Sequence, residues 1–84
     1  MRIALDYDGT YTRDKVLWDR FIADAKASGH TVVCVTARRP DEEVNMPCEV
    51  IYTSREAKGK YTETRRVSFD IWIDDNPLSI YQGV

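Results

Sequence analysis

The sequence predicts a single α/β domain over residues 1–84, with a three-layer, Rossmann-like fold and a short, mostly parallel sheet of about four strands. Short apolar runs rich in β-branched residues alternate with segments of helical pattern, which is typical of βαβ units. The chain has 84 residues, of which 43% are hydrophobic. This composition is enough for one core, and a chain of this length leaves no room for a second domain.

Four short apolar runs are predicted to be strands. They are Arg2–Leu5, Thr31–Thr36, Glu49–Tyr52 and Phe69–Ile73. The second run is continuous and β-branched, as expected for a strand that is covered on both faces of a parallel sheet.

A helix is predicted from about Asp14 to Ser28, where apolar residues recur at helical spacing and Gly29 follows as a natural helix end. The residues that share this apolar face are Leu17, Trp18, Phe21, Ile22 and Ala25.

Two further helices and a final turn are expected after the second strand. Pro40–Glu43 is predicted to be the first turn of a short helix, because proline suits the first helical position and acids suit the first turn. A weaker helix is expected from about Arg55 to Arg65, with Gly59 in its middle. A last turn is placed at Leu78–Tyr81.

Charge and cysteine content exclude several classes of protein. The formal net charge is −2, and the chain lacks the basic stripe of a typical nucleic-acid-binding surface. Cys34 lies in an apolar run and Cys48 stands apart from it, which fits a reducing compartment better than a disulfide scaffold. No apolar stretch approaches the ~20 residues of a membrane span. These features predict a soluble, cytoplasmic protein without a membrane partner.

Polar residues stand where the predicted strands end. Asp6 and Asp8 follow the first strand, Thr36 ends the second, and Asp74 and Asp75 follow the fourth. The third strand is followed, after a short loop, by Lys58 and Lys60. The carboxyl ends of parallel strands meet at one edge of a sheet, so these groups are expected to lie together there.

Carboxylates so close to one another would repel unless a cation joined them, and oxygen ligands favour Mg²⁺. A hydroxyl and a lysine beside the ion would bind phosphate oxygens. Each segment also has a simpler interpretation. Asp6–Thr10 would serve as a turn, and Asp74–Pro77 would serve as a capped helix start. The coincidence of four strand ends favours the functional interpretation.

The chain resembles the haloacid dehalogenase (HAD) superfamily at four motifs, which occur in that family's order. They are Asp6-Tyr7-Asp8-Gly9-Thr10, Val35-Thr36-Ala37-Arg38, a lysine ahead of a helix, and Ile73-Asp74-Asp75. The resemblance covers nearly the whole chain and implies a sheet with the Asp6 strand at its centre.

The resemblance also implies the role of each residue. Asp6 would be the nucleophile that forms an aspartyl-phosphate, and Asp8 the general acid and base. Mg²⁺ would lie between Asp6, Asp74 and the backbone carbonyl of Asp8. Thr36 would hold a phosphoryl oxygen, and the lysine, preferably Lys58, would neutralise charge.

The remaining expectations concern substrate contacts and support. Gly9, Thr10 and Arg38 are candidate substrate-binding residues. Asp75 is expected to support the metal shell or the lysine. An acid at the position of Asp8 is typical of the phosphatases and phosphomutases of that family, which favours phosphate-ester hydrolysis.

The chain departs from the family in its length and in the segment from Thr10 to Asp14, which is too short for a cap. The expected substrate is therefore either a small phosphoester or the phosphorylated end of a nucleic acid or protein. An open sheet edge would allow a homo-oligomer. The alternative function is a non-catalytic module that binds phosphate and Mg²⁺. The order of the motifs disfavours a receiver-like phospho-acceptor domain, in which the lysine comes last.

Overall fold

All four predicted strands are present and lie side by side in one parallel sheet. The structure is a computed structural model that describes residues 1–83. The strands are β1 (Arg2–Leu5), β2 (Thr31–Thr36), β3 (Glu49–Tyr52) and β4 (Ile71–Ile73). Their order across the sheet is β3-β2-β1-β4, and every neighbouring pair is parallel. The first strand is therefore interior, and all four carboxyl ends open on the same edge.

Within residues 1–83, three helices accompany the sheet, together with one 3₁₀ turn at Tyr11–Arg13. They are α1 (Lys15–Ala27), α2 (Lys58–Thr64) and α3 (Leu78–Tyr81). The arrangement is that of an α/β domain in which α1 packs on one face of the sheet. On the other face, α2 and α3 border the side chain of Trp72.

Helix α1 begins and ends as its sequence predicts. The Asp14 side chain accepts a hydrogen bond from the Leu17 amide at 3.0 Å and so caps the first turn. Gly29 adopts a φ of 85°, a left-handed conformation that closes the C-terminus at little cost. Leu17 was expected on the buried face, but its exposure is 52%. The apolar stripe that contacts the core begins one residue later, at Trp18.

The interior of the domain is formed mainly by β1 and β2, whose side chains alternate between the two faces of the sheet. Ile3, Leu5 and Cys34 contact the apolar side of α1, and Ala4 and Val33 lie on the opposite face. Cys34 is fully buried, as predicted for a cysteine that serves as a small hydrophobe, and both cysteines are free thiols.

The prediction of a helix that starts at Pro40–Glu43 is wrong, because this segment forms only a turn. The Glu42 amide donates to the Arg39 carbonyl at 2.9 Å, and the Glu42 side chain accepts from the Arg39 amide at 2.7 Å. These two bonds close the turn without starting a second one. Val44 and Met46 then pack on the core from an irregular segment, so the sheet is covered there without a helix.

Two boundaries also differ from the predicted ones. Helix α2 begins at Lys58, not near Arg55, because Ser54 and Arg55 adopt left-handed φ values of 51° and 71°. Strand β4 begins at Ile71, not at Phe69, because the Asp70 carboxylate accepts a hydrogen bond from the Arg2 amide at 2.8 Å. The Asp70 side chain thus takes the place of a backbone carbonyl as the acceptor for the Arg2 amide.

Strand β4 lies at one edge of the described sheet, where Ile71 is 42% exposed. Association of two copies along an open edge stays a prediction. Within residues 1–83, no helix combines the length and the apolar character that crossing a bilayer requires.

We expect Tyr11→Phe to destabilise the protein by about 1 kcal/mol at pH 8, since it removes a hydrogen bond to a charged group. The Tyr11 hydroxyl donates to Asp19 at 2.7 Å. This bond, followed by burial, raises the pKa of Tyr11 from 10.0 to about 12. The resulting stability is present below pH 10 and is lost as the pH rises through 12.

Urea unfolding of the wild type and Tyr11→Phe at pH 8 and pH 11 checks this prediction. The difference in free energy of unfolding should shrink at the higher pH. A difference that stays constant between the two pH values would show that the Tyr11 hydroxyl has an ordinary pKa.

Candidate functional site

A buried lysine joins two of the predicted acids at the carboxyl edge of the sheet. The Lys58 ammonium donates to Asp6 Oδ1 at 2.7 Å and to Asp74 Oδ2 at 2.6 Å. All three side chains are at most 6% exposed. Asp6 follows β1 and Asp74 follows β4, so the lysine bridges the ends of two adjacent strands.

The position of Lys58 follows from the backbone after β3. Ser54 and Arg55 turn the chain, and Lys58 becomes the first residue of α2, where the helix dipole disfavours a positive charge. The two carboxylates compensate for both that dipole and the burial. Lys60, the alternative lysine, is exposed and borders a groove beside Trp72.

Burial and the neighbouring charges together determine how Asp6 and Lys58 ionise. Burial is the largest influence on Asp6 and raises the pKa of its carboxyl from 3.8 to about 6, while Lys58 opposes this shift and Asp74 adds to it. Burial alone would lower the pKa of Lys58, but hydrogen bonds with Asp6 and Asp74 raise it. The lysine therefore stays charged at neutral pH, and Asp6 is ionised above about pH 6.

Thr10 connects Asp6 to Asp75, the second acid after β4. Its hydroxyl lies 3.0 Å from Asp6 Oδ2 and 3.3 Å from Asp75 Oδ1, and it accepts a hydrogen bond from the Asp75 amide at 3.1 Å. Gly9 has a φ of 82°, and a Cβ at that position would collide with the Asp75 carboxylate. The left-handed φ favours glycine here, and any side chain would displace the Asp75 carboxylate.

Gly9 and Thr10 were predicted to contact substrate, which stays a prediction; they do not line the cavity of the acids, although Thr10 contacts Asp6 directly. Both border an adjoining surface cleft with Trp18, and this cleft shares Asp74 and Asp75 with the cavity of the acids. In this structure Thr10 orients the two acids, and Gly9 allows the close approach of Asp75.

Asp8 points towards Arg38 instead of the other acids. The Arg38 guanidinium donates to Asp8 Oδ2 at 2.9 Å and to Oδ1 at 2.7 Å, so the pair is bidentate. Arg38 also lies over the Tyr7 ring, 5.1 Å from its centroid. The ion pair raises the pKa of Arg38. The Asp8 side chain is 54% exposed, so it borders solvent as well as the site.

Thr36 ends β2 next to these acids. It is 1% exposed, and its hydroxyl accepts a hydrogen bond from the Arg38 amide at 3.3 Å. Among residues 1–83 this hydroxyl donates to no other group, so its proton is available to a group in the adjoining cavity.

The predicted chemical residues converge on one cavity of about 230 Å³. Its walls come from the ends of β1, β2 and β4 and from the start of α2. The lining residues are Asp6, Asp8, Thr36, Ala37, Lys58, Asp74, Asp75, Asn76 and Ser79. Residues that are distant in sequence thus share one polar, concave site.

The acids fit a hard cation. Oxygens of Asp6, Asp74 and Asp75 lie within 4.8 Å of one another. Oxygen-only sets of this kind are those that Mg²⁺ prefers. The prediction named the backbone carbonyl of Asp8 with Asp6 and Asp74. The structure brings the Asp75 carboxylate into the group, whereas the Asp8 carboxylate is engaged by Arg38.

Two residues near the acids were not predicted from the sequence. The Ser79 hydroxyl, in α3, lies 3.2 Å from Asp74 Oδ2, and the Asn76 amide donates to Asp74 Oδ1 at 3.0 Å. The turn signal in Asp74–Pro77 would have indicated the second contact, because asparagine and proline favour such turns. No local pattern indicates the contact of Ser79.

Comparison of the chain with protein-family models, with curated proteins and with solved structures gives no match.

We expect Asp6→Asn to melt at a higher temperature than the wild type at pH 7.5 in the presence of EDTA. Because the pKa of Asp6 is raised in the folded protein, its ionisation lowers the free energy of unfolding as the pH rises from 3.8 to about 6. The neutral amide of Asn does not ionise and avoids this loss of stability. Below pH 3.8 the carboxyl is protonated in both states, and the two melting temperatures should converge. Equal melting temperatures at pH 7.5 would contradict this account of Asp6.

We expect Lys58→Met to destabilise the protein by about 3 kcal/mol or more, because it leaves two buried carboxylates without a cation. Thermal melting followed by circular dichroism measures the effect. Lys60→Met is the matched control and should change stability by less than about 0.5 kcal/mol, because Lys60 is exposed. Similar losses in the two variants would mean that the lysine bridge does not hold the site together.

Proposed function

We propose that the protein is a Mg²⁺-dependent phosphohydrolase that cleaves phosphomonoesters through an aspartyl-phosphate on Asp6. The observation that carries this proposal is the single cavity lined by Asp6, Asp8, Thr36, Lys58 and Asp74. These are the residue types that phosphoryl transfer uses for a nucleophile, an acid and base, phosphate binding and charge neutralisation.

We also propose that the chain is a small, capless member of the haloacid dehalogenase superfamily. The order of its motifs along the sequence supports this assignment, as does the interior position of β1 in the sheet.

Mg²⁺ would be held by the carboxylates of Asp6 and Asp74 and the backbone carbonyl of Asp8, with the Asp75 carboxylate close enough to contribute. When bound, the ion supplies positive charge for the phosphate oxygens and for the acids themselves. Lys58 already neutralises part of the charge on Asp6 and Asp74 in the structure.

The proposed reaction has two steps. In the first, a carboxylate oxygen of Asp6 forms a bond to phosphorus as the bond from phosphorus to the leaving oxygen breaks, and Asp8 gives that oxygen a proton. In the second, Asp8 takes a proton from water as the water oxygen attacks phosphorus. The bond from phosphorus to the Asp6 oxygen breaks at the same time, so inorganic phosphate leaves and the Asp6 carboxylate is restored. The Thr36 hydroxyl and the Lys58 ammonium bind phosphoryl oxygens throughout.

The alternative, a module that binds phosphate and Mg²⁺ without turnover, is favoured by one contact. Both oxygens of Asp8 accept hydrogen bonds from Arg38, and an acid held in this way cannot deliver a proton to a leaving group. For catalysis Asp8 has to turn towards the cavity, and its half-exposed side chain has room to do so.

The cavity opens at the protein surface beside the half-exposed Asp8, which is consistent with the two classes of substrate predicted from the sequence. A small phosphoester would reach the cavity without hindrance. The phosphorylated end of a nucleic acid or protein would cover the site itself and exclude water.

We expect the protein to hydrolyse p-nitrophenyl phosphate with Mg²⁺ and not with EDTA. Asp6→Asn should lower kcat by roughly 10³-fold or more, because the amide is not a nucleophile. Asp8→Asn should lower kcat by roughly 10²- to 10⁴-fold, since the general acid is lost. Turnover with EDTA, or full activity of Asp6→Asn, would refute the mechanism. Phosphate binding without turnover would favour the binding module.

A further inference from the structure

A second cleft adjoins the candidate active site and contains two arginines. Its volume is about 460 Å³, and its walls are formed by Asp8, Ala37, Arg38, Glu42 and Arg55. It shares Asp8 and Ala37 with the cavity that contains Asp6. A molecule whose phosphate lies in the first cavity would therefore extend directly into the second.

The two guanidiniums are fixed at the walls of this cleft. Arg55 donates from Nη1 to the Ala37 carbonyl at 2.8 Å and from Nη2 to Glu42 at 2.8 Å. Arg38 donates from Nη1 to the Glu43 carbonyl at 3.0 Å and is also paired with Asp8. A guanidinium has more N–H donors than these bonds use among residues 1–83. Both side chains remain about one third exposed.

Arg55 is held in place by a strained backbone. Ser54 and Arg55 are consecutive non-glycine residues with left-handed φ values of 51° and 71°. Such a conformation costs roughly 1–2 kcal/mol per residue, and it persists where surrounding contacts impose it. Here the Arg55 amide donates to the Ala37 carbonyl at 2.7 Å. Strain of this kind is concentrated at sites that bind ligands.

The charges in the cleft suit a phosphate. Without a ligand, each arginine is paired with a carboxylate of the protein. Partly exposed ion pairs of this type contribute at most about 1 kcal/mol to stability. A phosphate group offers more oxygens and more charge to the same planar donors, and bidentate contacts between arginine and phosphate are among the stronger hydrogen bonds in proteins. A second phosphate would therefore compete with Asp8 and Glu42 for these donors.

We propose that the cleft between Arg38 and Arg55 binds a second phosphate carried by the leaving group of the substrate. This inference rests on the proposed phosphohydrolase function and names its substrate class: a phosphomonoester with another phosphate on the same molecule. Such a phosphate is found in small bisphosphates and in the first phosphodiester of a 5′-phosphorylated oligonucleotide.

The competing explanation is that Arg55 has only a structural role, bracing the loop after β2 through the Ala37 carbonyl. Loss of a structural brace would reduce hydrolysis of every substrate by a similar factor. Loss of a contact to the second phosphate would reduce hydrolysis only of substrates that carry one. The ratio of two kcat/KM values separates these explanations, since a change in the amount of folded protein cancels.

The experiment measures kcat/KM with Mg²⁺ for two matched pairs of substrates. One pair is fructose 1,6-bisphosphate and fructose 6-phosphate, and the other is a 5′-phosphorylated dinucleotide and the corresponding 5′-mononucleotide. In one pair we expect kcat/KM to be at least about tenfold higher for the substrate with the second phosphate. A tenfold preference corresponds to the gain of one charge-assisted hydrogen bond. The preferred pair identifies the source of the second phosphate.

Arg55→Gln should reduce that preference about tenfold, towards a ratio near one. Arg65→Gln is the matched control, because it removes the same charge from an exposed arginine at the end of α2, and it should leave the ratio unchanged. A wild-type ratio near one in both pairs, or an unchanged ratio in Arg55→Gln, would overturn the second phosphate site alone. Absence of hydrolysis of every substrate, p-nitrophenyl phosphate included, would overturn the proposed function as well.

Discussion

The ammonium of Lys58 between Asp6 and Asp74 is the interaction on which the rest of the site depends. It joins the ends of β1 and β4 to the start of α2 and supplies positive charge where two carboxylates are buried. Without it, their mutual repulsion and desolvation would favour opening of this edge of the sheet. The ammonium that compensates these two carboxylates is one that a phosphate would contact, and the carboxylates are ones that a divalent cation would contact, so stability and the proposed chemistry share one set of atoms.

Much of this arrangement followed from the sequence, because it depends on a general property of parallel sheets. The bounds of β1, β2 and β3 agree with the apolar runs that predicted them. Once those strands are parallel, Asp6, Thr36 and Asp74 must lie at one edge, whatever the details of the helices. Position along a strand was therefore enough to place these residues.

The start of α2, the turn after β2 and the two ion pairs of the arginines could not be predicted, because they depend on contacts that no short stretch of sequence indicates. The left-handed backbone at Ser54 and Arg55 delays α2, although neither residue is a glycine or asparagine that would signal it. The turn at Pro40–Glu43 ends after two hydrogen bonds instead of growing into a helix. The contacts of Arg55 with Glu42 and of Arg38 with Asp8 are long-range ion pairs, visible only in three dimensions.

The proposed mechanism requires that the Asp6 carboxylate, held by Lys58, becomes phosphorylated during turnover. Its most direct test is to quench the reaction with acid, reduce the protein with borohydride and map the modified residue by mass spectrometry. An acyl phosphate on Asp6 would be reduced to homoserine, and only in samples that contained both substrate and Mg²⁺. Turnover without any modification, or modification at another residue, would contradict the account.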